Sequence, residues 1–141
     1  MTEKSASNRL VGVLGGGQLG RMMGIAGIPL GFRFIFLDPG AQACAGELGE
    51  LVQAGFDDAE AACRLAERVD VATFDFENVP DSTALAFEKI CPLYPASNAL
   101  GAAQDRLTEK SLMSELGIAV GGFHPVSSRT DLLEGIENLG Y

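Results

Sequence analysis

The sequence predicts an α/β fold in which a parallel β-sheet carries helices on both faces. Two apolar runs, residues 10–14 and 32–37, have the length and composition of buried strands. Between them, Leu19, Met22, Met23 and Ala26 recur at helical spacing after a glycine-rich turn. The order strand, helix, strand is typical of a right-handed parallel unit.

The same alternation continues before the chain becomes helical. Further strands are predicted at residues 50–54, 71–74 and 92–94. Asp57 and Asp58 can cap a helix whose apolar face reaches Val69, and more helices are predicted at 82–90, 98–103, 105–116 and from Thr130 onwards. The change of rhythm predicts two domains, a Rossmann-like domain with its linker helix at residues 1–117 and the start of another domain at 118–141. Leu132, Leu133, Ile136 and Leu139 would leave an apolar stripe uncovered, which is consistent with a homodimer or with a flexible tail.

Composition excludes several function classes. The formal net charge is −9 with the basic residues scattered, which argues against a nucleic-acid partner. No apolar run approaches the length of a membrane span, and the first residues lack the apolar core of a signal peptide. The three cysteines are far apart and indicate neither disulfides nor a metal site. We expect a cytoplasmic protein without a membrane partner.

The stretch from Gly15 to Gly20, GGGQLG, satisfies the G-x-G-x-x-G pattern of a dinucleotide-binding turn. Glycines let the backbone turn tightly and approach a ligand, and the helix that follows offers free N–H groups. Asp38, at the end of the second predicted strand, could hold a ribose hydroxyl, so an NAD(P)-binding domain of an oxidoreductase is one hypothesis. A turn without a ligand is the alternative.

Two further segments carry charged residues, one at the end of a predicted strand and one on a predicted helix. In residues 73–80, TFDFENVP, strand alternation would place Asp75 and Glu77 on one face, either to accept hydrogen bonds from a ligand or as a solvated edge. Carboxyl ends of parallel strands meet at one sheet edge, so this segment, the glycine turn and Asp38 should open on one crevice. On a later helix, Arg106 and Lys110 lie four residues apart and could meet a phosphate, or form a solvated face.

In their order and spacing, these segments together resemble the amino-terminal part of the N5-carboxyaminoimidazole ribonucleotide synthetase family, the ATPase subunit of phosphoribosylaminoimidazole carboxylase. The matching stretches are VLGGGQLGRMM, LDP, TFDFENVP and QDRLTEK. The family belongs to the ATP-grasp superfamily, so the resemblance implies a Rossmann-like pre-ATP-grasp sheet followed by the start of an ATP-grasp domain. It covers nearly the whole chain.

The resemblance also implies a ligase of de novo purine synthesis that uses ATP and bicarbonate to carboxylate 5-aminoimidazole ribonucleotide. Carried over by motif, the residues along the ribonucleotide pocket would be Gly17, Gln18, Leu19, Asp38 and Glu77. Arg106 and Lys110 would reach ATP. Asp75 departs from the family pattern, because family members commonly have glutamate at that position.

The resemblance implies that the catalytic residues and the ligands of Mg²⁺ lie beyond Tyr141. We therefore expect the 141-residue portion to be inactive alone, although the enzyme it resembles needs ATP and Mg²⁺. The expected partners are small molecules only, apart from a homodimer.

Overall fold

The computed structural model describes residues 8–140. Its strands are β1 (Leu10–Leu14), β2 (Arg33–Asp38), β3 (Glu50–Gln53) and β4 (Val71–Phe74). Its α-helices are α1 (Gln18–Gly27), α2 (Ala59–Ala66), α3 (Asp81–Glu88), α4 (Ser97–Gln104), α5 (Arg106–Glu115) and α6 (Arg129–Leu139). Two short 3₁₀ helices, Ile28–Leu30 and Cys44–Glu47, were not anticipated in the sequence.

The four strands form one parallel sheet in the order β3-β2-β1-β4, which confirms the predicted fold class. Leu14 at the end of β1 lies opposite Leu37 of β2 and Phe74 of β4. Three carboxyl ends are therefore level. From β1 the chain moves through β2 and β3 on one side and returns to β4 on the other, so the order reverses at β1, where open α/β sheets bind ligands.

Each face of the sheet has its own hydrophobic core, because alternate strand residues point to opposite sides. Val13 and Phe36 belong to one cluster, together with Met23 of α1 and Ala45 of a 3₁₀ helix. The other cluster holds Leu14, Ile35 and Leu37 with side chains of α2, α3 and α4. The prediction of a sheet covered on both faces is confirmed.

Helix α1 packs on the sheet through glycines rather than through large apolar side chains. Gly20, Gly24 and Gly27 are its buried residues, whereas Leu19 and Met22 are more than half exposed. A Cβ atom at Gly27 would lie 2.5 Å from the ring of Phe34. The spacing of apolar residues therefore predicted the helix, but this close approach places glycines at its buried face.

Some predicted boundaries were wrong. Strand β4 ends at Phe74, and residues 75–79 form bends and a turn, so Asp75 and Glu77 do not share a strand face. The strand predicted at residues 92–94 is a single bridge between Leu93 and Ala72. Helix α2 ends at Ala66, ahead of Val69, because the chain turns there towards β4.

The chain divides into two compact units after Gly101. In the second unit, Asp105 caps α5 and Ser128 caps α6 in a capping box with Asp131, two residues before the predicted start at Thr130. The predicted apolar stripe on α6 is 38% to 55% exposed. The functional division at residues 117 and 118 and the homodimer stay predictions. Among the described helices, none combines the length and apolar character that crossing a bilayer requires.

Candidate functional site

A crevice of about 370 Å³ opens where β1, β2 and β4 end. Its lining residues are Gly17, Gln18, Leu19, Asp38, Phe56, Asp75 and Phe76. The structure thus brings together the glycine turn, the acid after β2 and the segment after β4, which sequence analysis placed on one crevice. It also adds Phe56, whose role was not foreseen.

Two backbone amides of the glycine turn donate hydrogen bonds to the end of β2. The Gly15 amide donates to the Leu37 carbonyl at 2.9 Å, and the Gly16 amide donates to Asp38 Oδ2 at 2.9 Å. Gly15 has a φ of +125°, a conformation that favours glycine. Helix α1 then begins after Gly17, whose lack of a side chain leaves no local cap for the first amides.

The Asp38 carboxylate accepts hydrogen bonds from the glycine turn and from its own loop after β2. Its Oδ2 accepts from Gly16 and its Oδ1 accepts from the Gly40 amide at 2.8 Å. Each carboxylate oxygen has a second acceptor site, so these bonds leave capacity for a ligand. Asp38 therefore fixes the shape of the crevice and lines it.

Asp75 lies against the turn from the end of β4. Its Oδ2 accepts from the Gly20 amide at 3.2 Å, fifty-five positions away in sequence. Burial raises the pKa of the Asp75 carboxyl, and the nearby charge of Asp38 acts in the same direction. The backbone amides of Gly20 and Gly17 oppose that rise in pKa. Asp75 is thus a half-buried acid inside a cluster of backbone donors.

Two aromatic rings form the apolar part of the crevice. Phe56 and Phe76 meet edge to face with their centroids 4.7 Å apart. Phe56 follows β3, whose carboxyl end lies beside that of β2. An aromatic residue just past a strand end was the sequence signal for Phe56, but a loop residue without a charge or motif attracts little notice.

Glu77 does not line the crevice within the described part of the chain. It is an exposed residue of the turn after β4, two positions beyond Asp75. Its role in binding stays a prediction.

Arg106 and Lys110 lie on α5 in the second unit. The Arg106 guanidinium pairs with Glu109 one turn along the same helix and is highly exposed. Lys110 Nζ donates to the Gly121 carbonyl at 3.4 Å and lies 5.2 Å from the centre of the Phe123 ring. Both charges therefore have local partners within the second unit.

Within residues 8–140, no three His, Cys, Asp or Glu side chains cluster in a way that could hold a metal ion. Cys44, Cys63 and Cys91 are free thiols. Burial, followed by the charge of Asp70, raises the pKa of the Cys91 thiol, as expected for a structural cysteine.

Comparison with known proteins identifies the family of this fold and crevice. The family model of the ribonucleotide synthetase preATP-grasp domain matches residues 9–104. The chain belongs to this family. The ribonucleotide synthetase preATP-grasp domain accordingly includes β1 to β4 and the whole crevice.

Relatives of this preATP-grasp chain carry a consistent name. An N5-carboxyaminoimidazole ribonucleotide synthase from Pseudomonas aeruginosa is 48% identical over 86% of this chain and 34% of the relative. The crystal structure of the synthetase from Thermus thermophilus has a TM-score of 0.85 at 51% identity, covering 92% of this chain and 36% of that one.

A third relative was solved with ligands. The synthase from Aspergillus clavatus, in complex with ADP and 5-aminoimidazole ribonucleotide, has a TM-score of 0.85 at 27% identity, covering 97% of this chain and 38% of that one. The chain spans about a third of the length of the curated relatives it matches. None of these findings supports the NAD(P) oxidoreductase hypothesis, which the family assignment replaces.

Proposed function

We propose that this chain forms the ribonucleotide-binding part of an ATP-dependent ligase that carboxylates 5-aminoimidazole ribonucleotide with bicarbonate. One observation carries the proposal: Gly17, Gln18, Leu19 and Asp38 converge on the crevice at the carboxyl ends of the strands. The Aspergillus relative solved with that ribonucleotide supports the choice of ligand. The corresponding compartment is the cytoplasm.

The chemistry of the crevice suits this ligand. Helix geometry leaves the amides of Gln18 and Leu19 without intrahelical acceptors, so both can donate to the ribonucleotide. Asp38 can accept from a ribose hydroxyl or the exocyclic amine. The rings of Phe56 and Phe76 offer apolar surface to the planar imidazole. We propose that Glu77, exposed on the turn after β4, accepts a hydrogen bond from a second ribose hydroxyl.

We propose that α5 supplies the contacts of this chain with ATP. We propose that the exposed Arg106 exchanges its partner Glu109 for an ATP phosphate, an exchange that costs little because surface ion pairs are weak. Lys110, held by Gly121 and Phe123, is the second proposed ATP contact. Residues 8–140 offer no acidic cluster for Mg²⁺, and we propose that its ligands and the catalytic groups belong to the ATP-grasp part of the enzyme.

Titration of 5-aminoimidazole ribonucleotide into the chain tests the proposal, with backbone amide NMR shifts as the measurement. We expect saturable shifts at Gly17, Gln18 and Leu19. Gln18→Ala keeps the backbone amide but removes the side-chain amide that lines the crevice and can also bond to the ribonucleotide, so it should weaken binding about tenfold, the effect of losing roughly 1.4 kcal/mol. Gln42→Ala, at an exposed glutamine outside the crevice, is the matched control and should bind as the parent chain does. Binding without any shift in the glycine turn would refute the proposed site.

The same chain should release no phosphate from ATP when ribonucleotide and bicarbonate are present. The reason is that the proposed catalytic groups are not among its residues. A coupled phosphate-release assay measures this, and turnover by the purified 141-residue chain would overturn the assignment of catalysis to the rest of the enzyme.

A further inference from the structure

The start of α1 is capped by a residue that directly follows β4, far away in sequence. The residue at the N-cap position, Gly17, has no side chain with which to cap the helix. Asp75 supplies the missing acceptor, because its Oδ2 bonds to the amide of Gly20, the third residue of α1. A carboxylate at this position also complements the positive end of the helix dipole.

The Asp75 carboxylate fills the space that three of the four glycines of the turn create. A Cβ atom at Gly15 would lie 1.6 Å from Asp75 Oδ1. Cβ atoms at Gly17 and Gly20 would lie 3.6 Å and 3.4 Å from Asp75 Oδ2. In a dinucleotide-binding turn, glycines at these positions let the backbone approach a phosphate. Here they surround a side-chain anion.

We propose that Asp75 is an internal anion that takes the place of a phosphate at the glycine turn and makes the crevice select against phosphate groups. Asp38, on the other side of the turn, adds a second negative charge to the same lining. A ligand group here must therefore donate hydrogen bonds to the carboxylates, as a hydroxyl can while it also accepts from the Gln18 and Leu19 amides. If the proposed function holds, the ribonucleotide places its hydroxyl or amino groups, and not its 5′-phosphate, against the start of α1.

Inorganic phosphate is the first probe, and it requires no assumption about the substrate. We expect no saturable shift of the Gly17 and Gly20 amides when phosphate is added to the parent chain. Asp75→Ala removes the charge and also opens the space, so phosphate can reach these amides and its affinity there should be at least about tenfold higher. Asp75→Asn removes the charge but keeps the space filled, so phosphate still cannot reach the amides and its affinity should not rise.

Asp75→Ser is a second space-opening variant in case the alanine variant does not fold. Native-like dispersion of the amide spectrum is the folding criterion for each protein. Saturable phosphate shifts in the parent chain would overturn the proposal, as would a folded space-opening variant that gains no phosphate affinity.

A matched pair of ligands tests the orientation. The ribonucleotide and its dephosphorylated riboside should shift the Gly20 amide alike, because the phosphate lies elsewhere. A Gly20 shift with the ribonucleotide alone would overturn the proposed orientation. If neither ligand shifts the crevice amides, the proposed function fails, whereas the phosphate titration still decides the role of Asp75.

Discussion

At the scale of single residues, Gly15 lies so close to Asp75 that a Cβ atom on the glycine would overlap the carboxylate. The glycine has a φ of +125°, and its Cα faces the Asp75 carboxylate with no room for a Cβ atom. Any residue with a side chain at position 15 would therefore meet both backbone strain and steric overlap. The two residues meet because β1 and β4 are neighbours in the sheet, with Leu14 opposite Phe74, so the residues that follow these two strands lie side by side.

Gly15→Ala should lower the free energy of unfolding by about 2 to 4 kcal/mol, since it combines an unfavourable φ with a clash. Urea denaturation followed by circular dichroism measures the effect. Gly121→Ala is the matched control, because a Cβ atom there meets nothing within 4 Å, and it should change stability by less than about 0.5 kcal/mol. Equal effects at the two positions would contradict this account of the turn.

Asp75 should also make stability depend on pH. Folding raises its pKa through burial and the charge of Asp38, so its stabilising contribution is complete below the ordinary pKa of an aspartate. That contribution is lost as the pH rises through the folded-state pKa. Relative to the parent chain, Asp75→Asn should therefore be more favourable at pH 7 than at pH 4, as measured by urea denaturation. The same stability difference at both pH values would contradict the expectation.

The sequence predicted which residues line the crevice where a motif marked them. It did not do so where tertiary packing alone brings a residue to the crevice. The glycine pattern and the strand-end position of Asp38 indicated the crevice. The bond from Asp75 to Gly20 joins positions fifty-five residues apart, and no local pattern encodes such a contact. Phe56 became a lining residue because the loop after β3 brings its ring against Phe76.

At the scale of elements, α3 contains a polar group that its surroundings do not satisfy. The Thr83 side chain is 1% exposed, and within the described residues its Oγ1 has no hydrogen-bond partner. An unsatisfied buried hydroxyl is destabilising. Thr83 is one of the three buried residues of α3, beside Ala84 and Phe87, which belong to the hydrophobic core.

Thr83→Val should raise the free energy of unfolding by about 1 kcal/mol, because it replaces the buried hydroxyl with a methyl group of similar size. Thermal or urea denaturation measures the gain. Thr108→Val provides the contrast, since the Thr108 hydroxyl bonds to the capping residue Asp105 at 2.9 Å, and it should be neutral or destabilising. A loss of stability in Thr83→Val would show that the hydroxyl has a partner in solution.

Elements were predictable wherever apolar runs or capping residues stood out. All four strands of the sheet and the helices α1 to α6 were anticipated. Their boundaries depended on tertiary contacts: β4 ends at Phe74 because Asp75 turns towards the start of α1. The strand predicted near Leu93 is limited to one bridge to Ala72.

At the scale of the whole molecule, the two compact units differ in how much they bury. The first contains both hydrophobic clusters, whose buried members all precede Ala102. Within the described residues of the second unit, Gly135 is the one buried residue. Apolar burial is the main source of stability, so the second unit should open more easily.

Hydrogen exchange should reveal this difference. Amides of α5 and α6 should be at least about tenfold less protected than those of β1 and β2, because local opening exposes little apolar surface there. Mass spectrometry of peptides after timed exchange gives the comparison. Equal protection in the two units would mean that α5 and α6 unfold only together with the sheet.

The strand order also governs how the chain forms during synthesis. Strand β1 pairs with β2 on one side and with β4 on the other. The second pairing can form only after β4 has been synthesised. The Leu10 amide likewise donates to Asp70, which lies sixty positions later in the chain. At translation rates of about 5–20 residues per second, the interval between completing β2 and completing β4 is roughly 2 to 7 s. During those seconds one edge of β1 is open to strands of other nascent chains, so the risk of aggregation is highest before Phe74 emerges.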